Sequence, residues 1–82
     1  MSRRVITEDV LKNRLSLNVR SLRHASAQTL KQASGQAVMH WRHWQKIEAG
    51  EVNVTLQTLA RLGAALETEP ADLLREPPRT KE

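Results

Sequence analysis

The stretch Trp44-Gln45-Lys46-Ile47-Glu48-Ala49-Gly50-Glu51-Val52-Asn53-Val54-Thr55-Leu56-Gln57-Thr58-Leu59 reads as the end of one helix, a loop and the start of another. Trp44 and Ile47 stand three apart and form the apolar face of a helix expected over about Trp41–Ala49. Gly50 ends it, because glycine readily takes the left-handed conformation that closes helices. Thr55 follows the loop as an N-cap. Leu56, Leu59, Leu62 and Leu66, at spacings of three, three and four, then supply one apolar stripe. All four leucines are expected in the core.

Upstream, Thr7 caps a first helix, and Glu8 and Asp9 fall in the turn where carboxylates suit the helix dipole. Leu11, Leu15, Val19 and Leu22 are its buried stripe, opposite Lys12, Arg14, Arg20 and Ser21. Thr29 caps a second helix running to about Ala37, with a thin apolar face of Leu30, Ala33 and Ala37 and with Ser34 as a small packing residue. Downstream, Pro70 suits the first turn of a short fifth helix carrying Leu73 and Leu74, and Pro77 and Pro78 stop it. The boundaries are a basic N-terminal arm over 1–6, one domain over 7–76 and a flexible C-terminal tail over 77–82.

The chain has 82 residues, 39% hydrophobic and 27% charged, with no cysteine, which describes one small soluble domain without disulfides or thiolate metal sites. No apolar run approaches the roughly 20 residues of a membrane span, and no signal peptide is visible, so the expected compartment is the cytoplasm. Charge is unevenly spread. Residues 1–46 carry nine basic and two acidic side chains, and residues 47–82 carry four basic and seven acidic ones. No carboxylate lies between Val10 and Lys46. A basic half suits a polyanion, whether nucleic acid, an acidic membrane or an acidic protein. No Ser/His/Asp set, carboxylate pair or glycine-rich phosphate loop is present, so no enzyme and no cofactor are expected. His40 and His43 have a spacing that a metal can use, but no cysteine or third ligand accompanies them, so no metal site is expected.

The block Ile47-Glu48-Ala49-Gly50 followed by Thr55-Leu56-Gln57-Thr58-Leu59 resembles the Cro/C1-type (XRE) helix-turn-helix family, which ends its recognition helix in Ile-Glu-x-Gly and opens the next helix with Ser/Thr-Leu-x-x-Leu. Val19-Arg20-Ser21-Leu22-Arg23 is similar to the family's first-helix motif, and Pro70–Leu74 to its last helix. The resemblance spans about residues 11–75 and implies an all-α, compact five-helix, λ repressor-like DNA-binding domain. The sequence departs from the pattern in the second helix and the turn. In the gapless register Leu30 stands where the family has a phosphate-binding Gln, and Val38 where it has the turn Gly. A second register would use Gly35 as the turn residue and lengthen the third helix backwards, but the gapless one is preferred because it keeps Ser34 at the small-residue position and Met39 at the buried turn position.

Helix-turn-helix docking places the start of the recognition helix in the major groove. With Trp44 and Ile47 turned inward, the resemblance implies base reading by Trp41, Arg42 and Lys46, with His43 near the backbone. Arg42 matches guanine O6 and N7, and Gln45 suits adenine. Trp41 either packs on a thymine methyl or sugar, or folds over the turn onto the second helix. His40 serves as an N-cap at the edge of the interface. Thr29 and, more weakly, Asn53 are expected to position phosphates. Arg3 and Arg4 form either an arm toward DNA or a solvated tail. The resemblance also implies a salt bridge between Arg23 and Glu48. The expected function is a sequence-specific transcriptional regulator on double-stranded DNA, a homodimer joined through helices four and five around Leu66, Leu73 and Leu74. The alternative is a protein-binding module, such as an antitoxin that masks a toxin and binds DNA for autoregulation.

Overall fold

The computed structural model describes residues 5–78. Arg3, Arg4 and most of the C-terminal tail lie outside them. Four α-helices follow one another: α1 (Glu8–Ala25), α2 (Leu30–Gln36), α3 (Trp41–Glu48) and α4 (Leu56–Leu66). Pro70–Leu74 is a 3₁₀ helix rather than a fifth α-helix. Five residues are too few for the costly nucleation of an α-helix, and such short pieces commonly take the tighter winding.

Local chemistry starts each α-helix. The hydroxyls of Thr7, Thr29 and Thr55 accept the amides of Val10, Gln32 and Thr58 at 3.2, 3.1 and 3.0 Å. Thr29 and Gln32 close a full capping box, the Gln32 side chain accepting the Thr29 amide at 2.9 Å. All four α-helices also end alike. Ala27, Val38, Gly50 and Glu67 each adopt a left-handed backbone, with φ of 56°, 56°, 74° and 54°. In each case the next residue's amide reaches back to the last turn, as in Met39 to the Ser34 carbonyl at 3.0 Å and Glu51 to the Lys46 carbonyl at 3.1 Å. The turn residue between α2 and α3 is therefore Val38, and Gly35 lies inside α2.

α1 packs against α3, α4 and the 3₁₀ helix, while α2 packs against α3 and α4. The center of the core is Val19, Trp44, Ile47, Leu62 and Leu73, all fully buried. The 3₁₀ helix is tied to α1 by Asn18, whose Nδ2 donates to the carbonyls of Leu73 and Arg75 at 2.9 and 2.8 Å. It meets α4 at Gly63, where a Cβ would stand 2.9 Å from Pro70 Cγ and 2.9 Å from the Thr68 carbonyl oxygen.

Two expectations about apolar surface are corrected. Leu56 is not a core residue; it is 84% exposed. Steps of three residues lag the helical turn, so Leu56 is rotated about 120° from Leu62, and it stands at the first position of α4. Conversely, Leu66 and Leu73 are buried in the chain's own core and Leu74 is half-buried against it, so they do not form a free patch for a second copy. The most exposed large apolar side chain among the described residues, Leu56, lies at the other end of α4. There Leu56 borders a groove of about 240 Å³ lined by Leu11, Leu15, Val52, Val54, Leu59 and Leu74.

Candidate nucleic-acid interface

α2, the turn at Val38 and α3 present one outward surface. Inward, Trp44 and Ile47 lock α3 to the core. Outward, Arg42, His43, Gln45 and Lys46 are exposed, and Trp41 is half-buried. Helical periodicity forces this split, because positions 44 and 47 share a face that leaves 42, 43, 45 and 46 on the others. Lys31 on α2 adds another exposed cation. The one carboxylate on α2 or α3 is Glu48, which is buried.

Glu48 ties the end of α3 to α1. Its carboxylate accepts Arg23 Nε at 2.6 Å and Arg23 Nη2 at 3.0 Å, a two-pronged pair, and also the indole Nε1 of Trp44 at 2.6 Å. Arg20 Nε stands 3.9 Å away. The Ser16 hydroxyl donates to the Glu48 backbone carbonyl. Arg23 further donates through Nη1 to the Gln28 carbonyl at 3.0 Å, so one guanidinium ties α1 both to the turn before α2 and to the end of α3. Burial pushes the Glu48 carboxyl up, but the Arg23 hydrogen bonds, that from Trp44 and the charges of Arg23 and Arg20 outweigh it and hold the carboxyl below its ordinary range. Arg23 is raised in turn by Glu48. The contributions of Trp44, Ser16 and Arg20 go beyond the Arg23–Glu48 pair read in the sequence. Trp44 and Glu48 are four apart on one helix, a spacing that makes them neighbors on its surface and is the signal that could have revealed their contact.

The remaining site residues fall into two places. His40 caps α3: its Nδ1 accepts the Arg42 amide at 3.0 Å. His40, Trp41 and Arg42 lie in mutual contact at the first turn. Thr29 stands at the start of α2, its hydroxyl engaged in the cap. Leu30 beside it packs toward the core and offers no polar group. Asn53 lies apart from this set. It borders the groove between α1 and α4, where Lys12 first and then Asn53 hold the Glu8 carboxyl below its ordinary range.

A short two-helix motif with a tight turn, its second helix exposing basic and amide side chains, defines a helix-turn-helix protein. The profile of the helix-turn-helix domain family matches residues 14–76, and the chain belongs to that family. It is a Cro/C1-type helix-turn-helix DNA-binding protein. Among solved structures, the restriction-modification controller protein C.AhdI from Aeromonas hydrophila superposes with a TM-score of 0.72 at 25% identity, covering 82% of this chain and 98% of that one. The hypothetical transcription factor NHTF from Neisseria superposes with a TM-score of 0.80 at 21% identity, covering 94% of this chain and 88% of that one, a likeness of fold. No curated protein matches the sequence. Among the described residues no helix is long and apolar enough to cross a membrane.

Proposed function

We propose that this protein is a sequence-specific transcriptional regulator that binds an inverted repeat as a homodimer, with α3 in the major groove. The observation that carries the reading is the outer face of α3, where Arg42, His43, Gln45 and Lys46 are exposed on a helix anchored by Trp44 and Ile47. Arg42, Gln45 and Lys46 read base edges, Trp41 stands beside them, and His43 approaches the backbone. Thr29 positions phosphate through the start of α2, and Asn53 is at most peripheral. Similarity to a restriction-modification controller protein supports a regulatory role. An eight-residue recognition helix spans few base pairs, and pairing two copies on a palindrome is the usual route to affinity. The protein acts in the cytoplasm and is not an enzyme.

Selection of bound duplexes from a random DNA pool tests this directly. A palindromic consensus is the expected result, and recovery of no enriched sequence refutes it. Affinity for the selected site should fall about a hundredfold between 50 and 200 mM salt if about four phosphates are neutralized, because released counterions return. The alternative, an antitoxin-like module for a protein partner, draws on the exposed Leu56 and the apolar groove beside it. Salt-insensitive retention of a protein partner without DNA selectivity would favor that reading.

A further inference from the structure

The start of α3 holds three consecutive side chains in contact. The rings of His40 and Trp41 stack with centroids 5.8 Å apart and planes 26° from parallel. The Arg42 guanidinium carbon lies 5.4 Å from the centroid of the Trp41 ring. Neighboring residues within a helix do not normally face each other. His40 meets Trp41 because, as the N-cap, it keeps an extended backbone (φ −68°, ψ 141°) outside the helix.

Trp41 is half-buried, yet it is not among the partly buried apolar side chains packed on the core, which are Leu22, Leu30, Met39, Val52, Val54 and Leu74. The contacts that the structure does show for Trp41 are those with His40 and Arg42. Arg42 in turn has no carboxylate partner among the described residues.

We propose that Trp41 is a positioning residue for Arg42: the indole holds the guanidinium against its ring, so that base discrimination by Arg42 depends on Trp41. The inference rests on α3 being the DNA-reading helix. Its physical basis is that stacking and hydrogen bonding use different parts of the guanidinium. The negative face of the indole attracts the positive charge of the guanidinium, while the guanidinium N–H donors make the directional hydrogen bonds. An Arg42 held over the indole by its charge, 5.4 Å from the ring centroid, makes no hydrogen bond to the ring and so keeps its N–H donors for guanine O6 and N7, and a long side chain restrained before binding loses less freedom when it docks.

The test uses the full chain, the duplex recovered by selection, its single-base variants and a scrambled duplex. The variants are Arg42→Ala, Trp41→Phe, Trp41→Leu and Trp41→Leu combined with Arg42→Ala. Trp41→Leu keeps apolar volume but removes the π face, and should lower discrimination about threefold to tenfold at the base pair that Arg42→Ala relaxes. Trp41→Phe should retain most of that discrimination. Trp41→Leu should lose more affinity on the selected duplex than on the scrambled one, and it should add nothing to the loss of discrimination once Arg42 is gone. In the free protein, acrylamide quenching should report Trp41, since Trp44 is fully buried, and Arg42→Ala should increase it. Equal behavior of the Leu and Phe variants overturns the proposal, as does an undiminished effect of Trp41→Leu in the Arg42→Ala background, which would mean that the indole touches DNA by itself. An Arg42→Ala protein that discriminates as well as wild type overturns the DNA-reading assignment of α3 as well, and so separates the two failures.

Discussion

Arg23 on α1 and Glu48 at the end of α3 are joined by two parallel hydrogen bonds of 2.6 and 3.0 Å, and the indole of Trp44 donates to the same carboxylate at 2.6 Å. Side-chain exposures of 13% and 6% make this a largely buried pair. Removing one partner leaves the other charge in a poorly solvated place. Glu48→Ala should therefore cost about 3–5 kcal/mol of unfolding free energy in urea titration. A loss no larger than that of an exposed control such as Glu51→Ala would show that the pair is structurally idle.

The same pair sets part of the acid response. Glu48 is depressed in the folded state, so its stabilization is fully present above the unfolded glutamate value of about 4.3 and is lost as pH falls through the lower folded value. Stability of the wild type should fall as acid is added below that point. Glu48→Gln should start less stable and fall less steeply over the same window. Parallel pH curves for the two proteins would place the acid response elsewhere, for example at Glu8, which is also depressed.

Val38 carries a β-branched side chain at φ 56° in the turn between α2 and α3, and it is 74% exposed. It loses backbone energy that glycine would not and gains little packing. Val38→Gly should stabilize the domain by roughly 1 kcal/mol after the extra entropy of unfolded glycine is counted. A lower melting temperature for Val38→Gly would mean that the side chain contributes more than its exposure suggests.

Two glycines should respond oppositely to alanine. A Cβ on Gly35 would meet nothing within 4 Å, whereas one on Gly63 would collide with Pro70 and Thr68 at 2.9 Å. Gly35→Ala should add about 0.5–1 kcal/mol by improving helix propensity. Gly63→Ala should cost about 1–3 kcal/mol by forcing the 3₁₀ helix away from α4. Thermal melts of both variants check the sign as well as the size.

Readout and positioning should separate by mutation. Arg42→Ala should lose about 1–3 kcal/mol on the selected site and relax preference at about one base pair per half-site. Thr29→Ala should weaken selected and scrambled duplexes equally, beyond whatever stability the loss of its cap removes from α2. Titrations of both duplexes at matched salt decide it. Equal weakening of both by Arg42→Ala would make Arg42 a phosphate contact.

Much of this fold is legible residue by residue, because the interactions involved are local. A threonine hydroxyl reaches the amide three residues on whatever the rest of the chain does, so Thr7, Thr29 and Thr55 mark helix starts. Trp44 and Ile47 face inward because helical periodicity places them together, and the same periodicity leaves Arg42, His43, Gln45 and Lys46 outward. The uneven charge is likewise a property of the sequence alone.

Other features depend on how the helices meet. Glycine tolerates a left-handed turn better than valine, yet Val38 takes that conformation, in the gapless register preferred from the sequence, and Gly35 lies inside α2. Leu56 matches its stripe by count but falls past the edge of the core, while Leu66 and Leu73, expected to offer surface to a second copy, are absorbed by the chain's own core. Trp41 has no assigned place until His40 leaves the helical path to cap α3 and brings an imidazole beside it. Periodicity and capping act over three or four residues and can be read along the chain. Burial and stacking depend on which surfaces close over a side chain, and that follows from the packed arrangement of the helices.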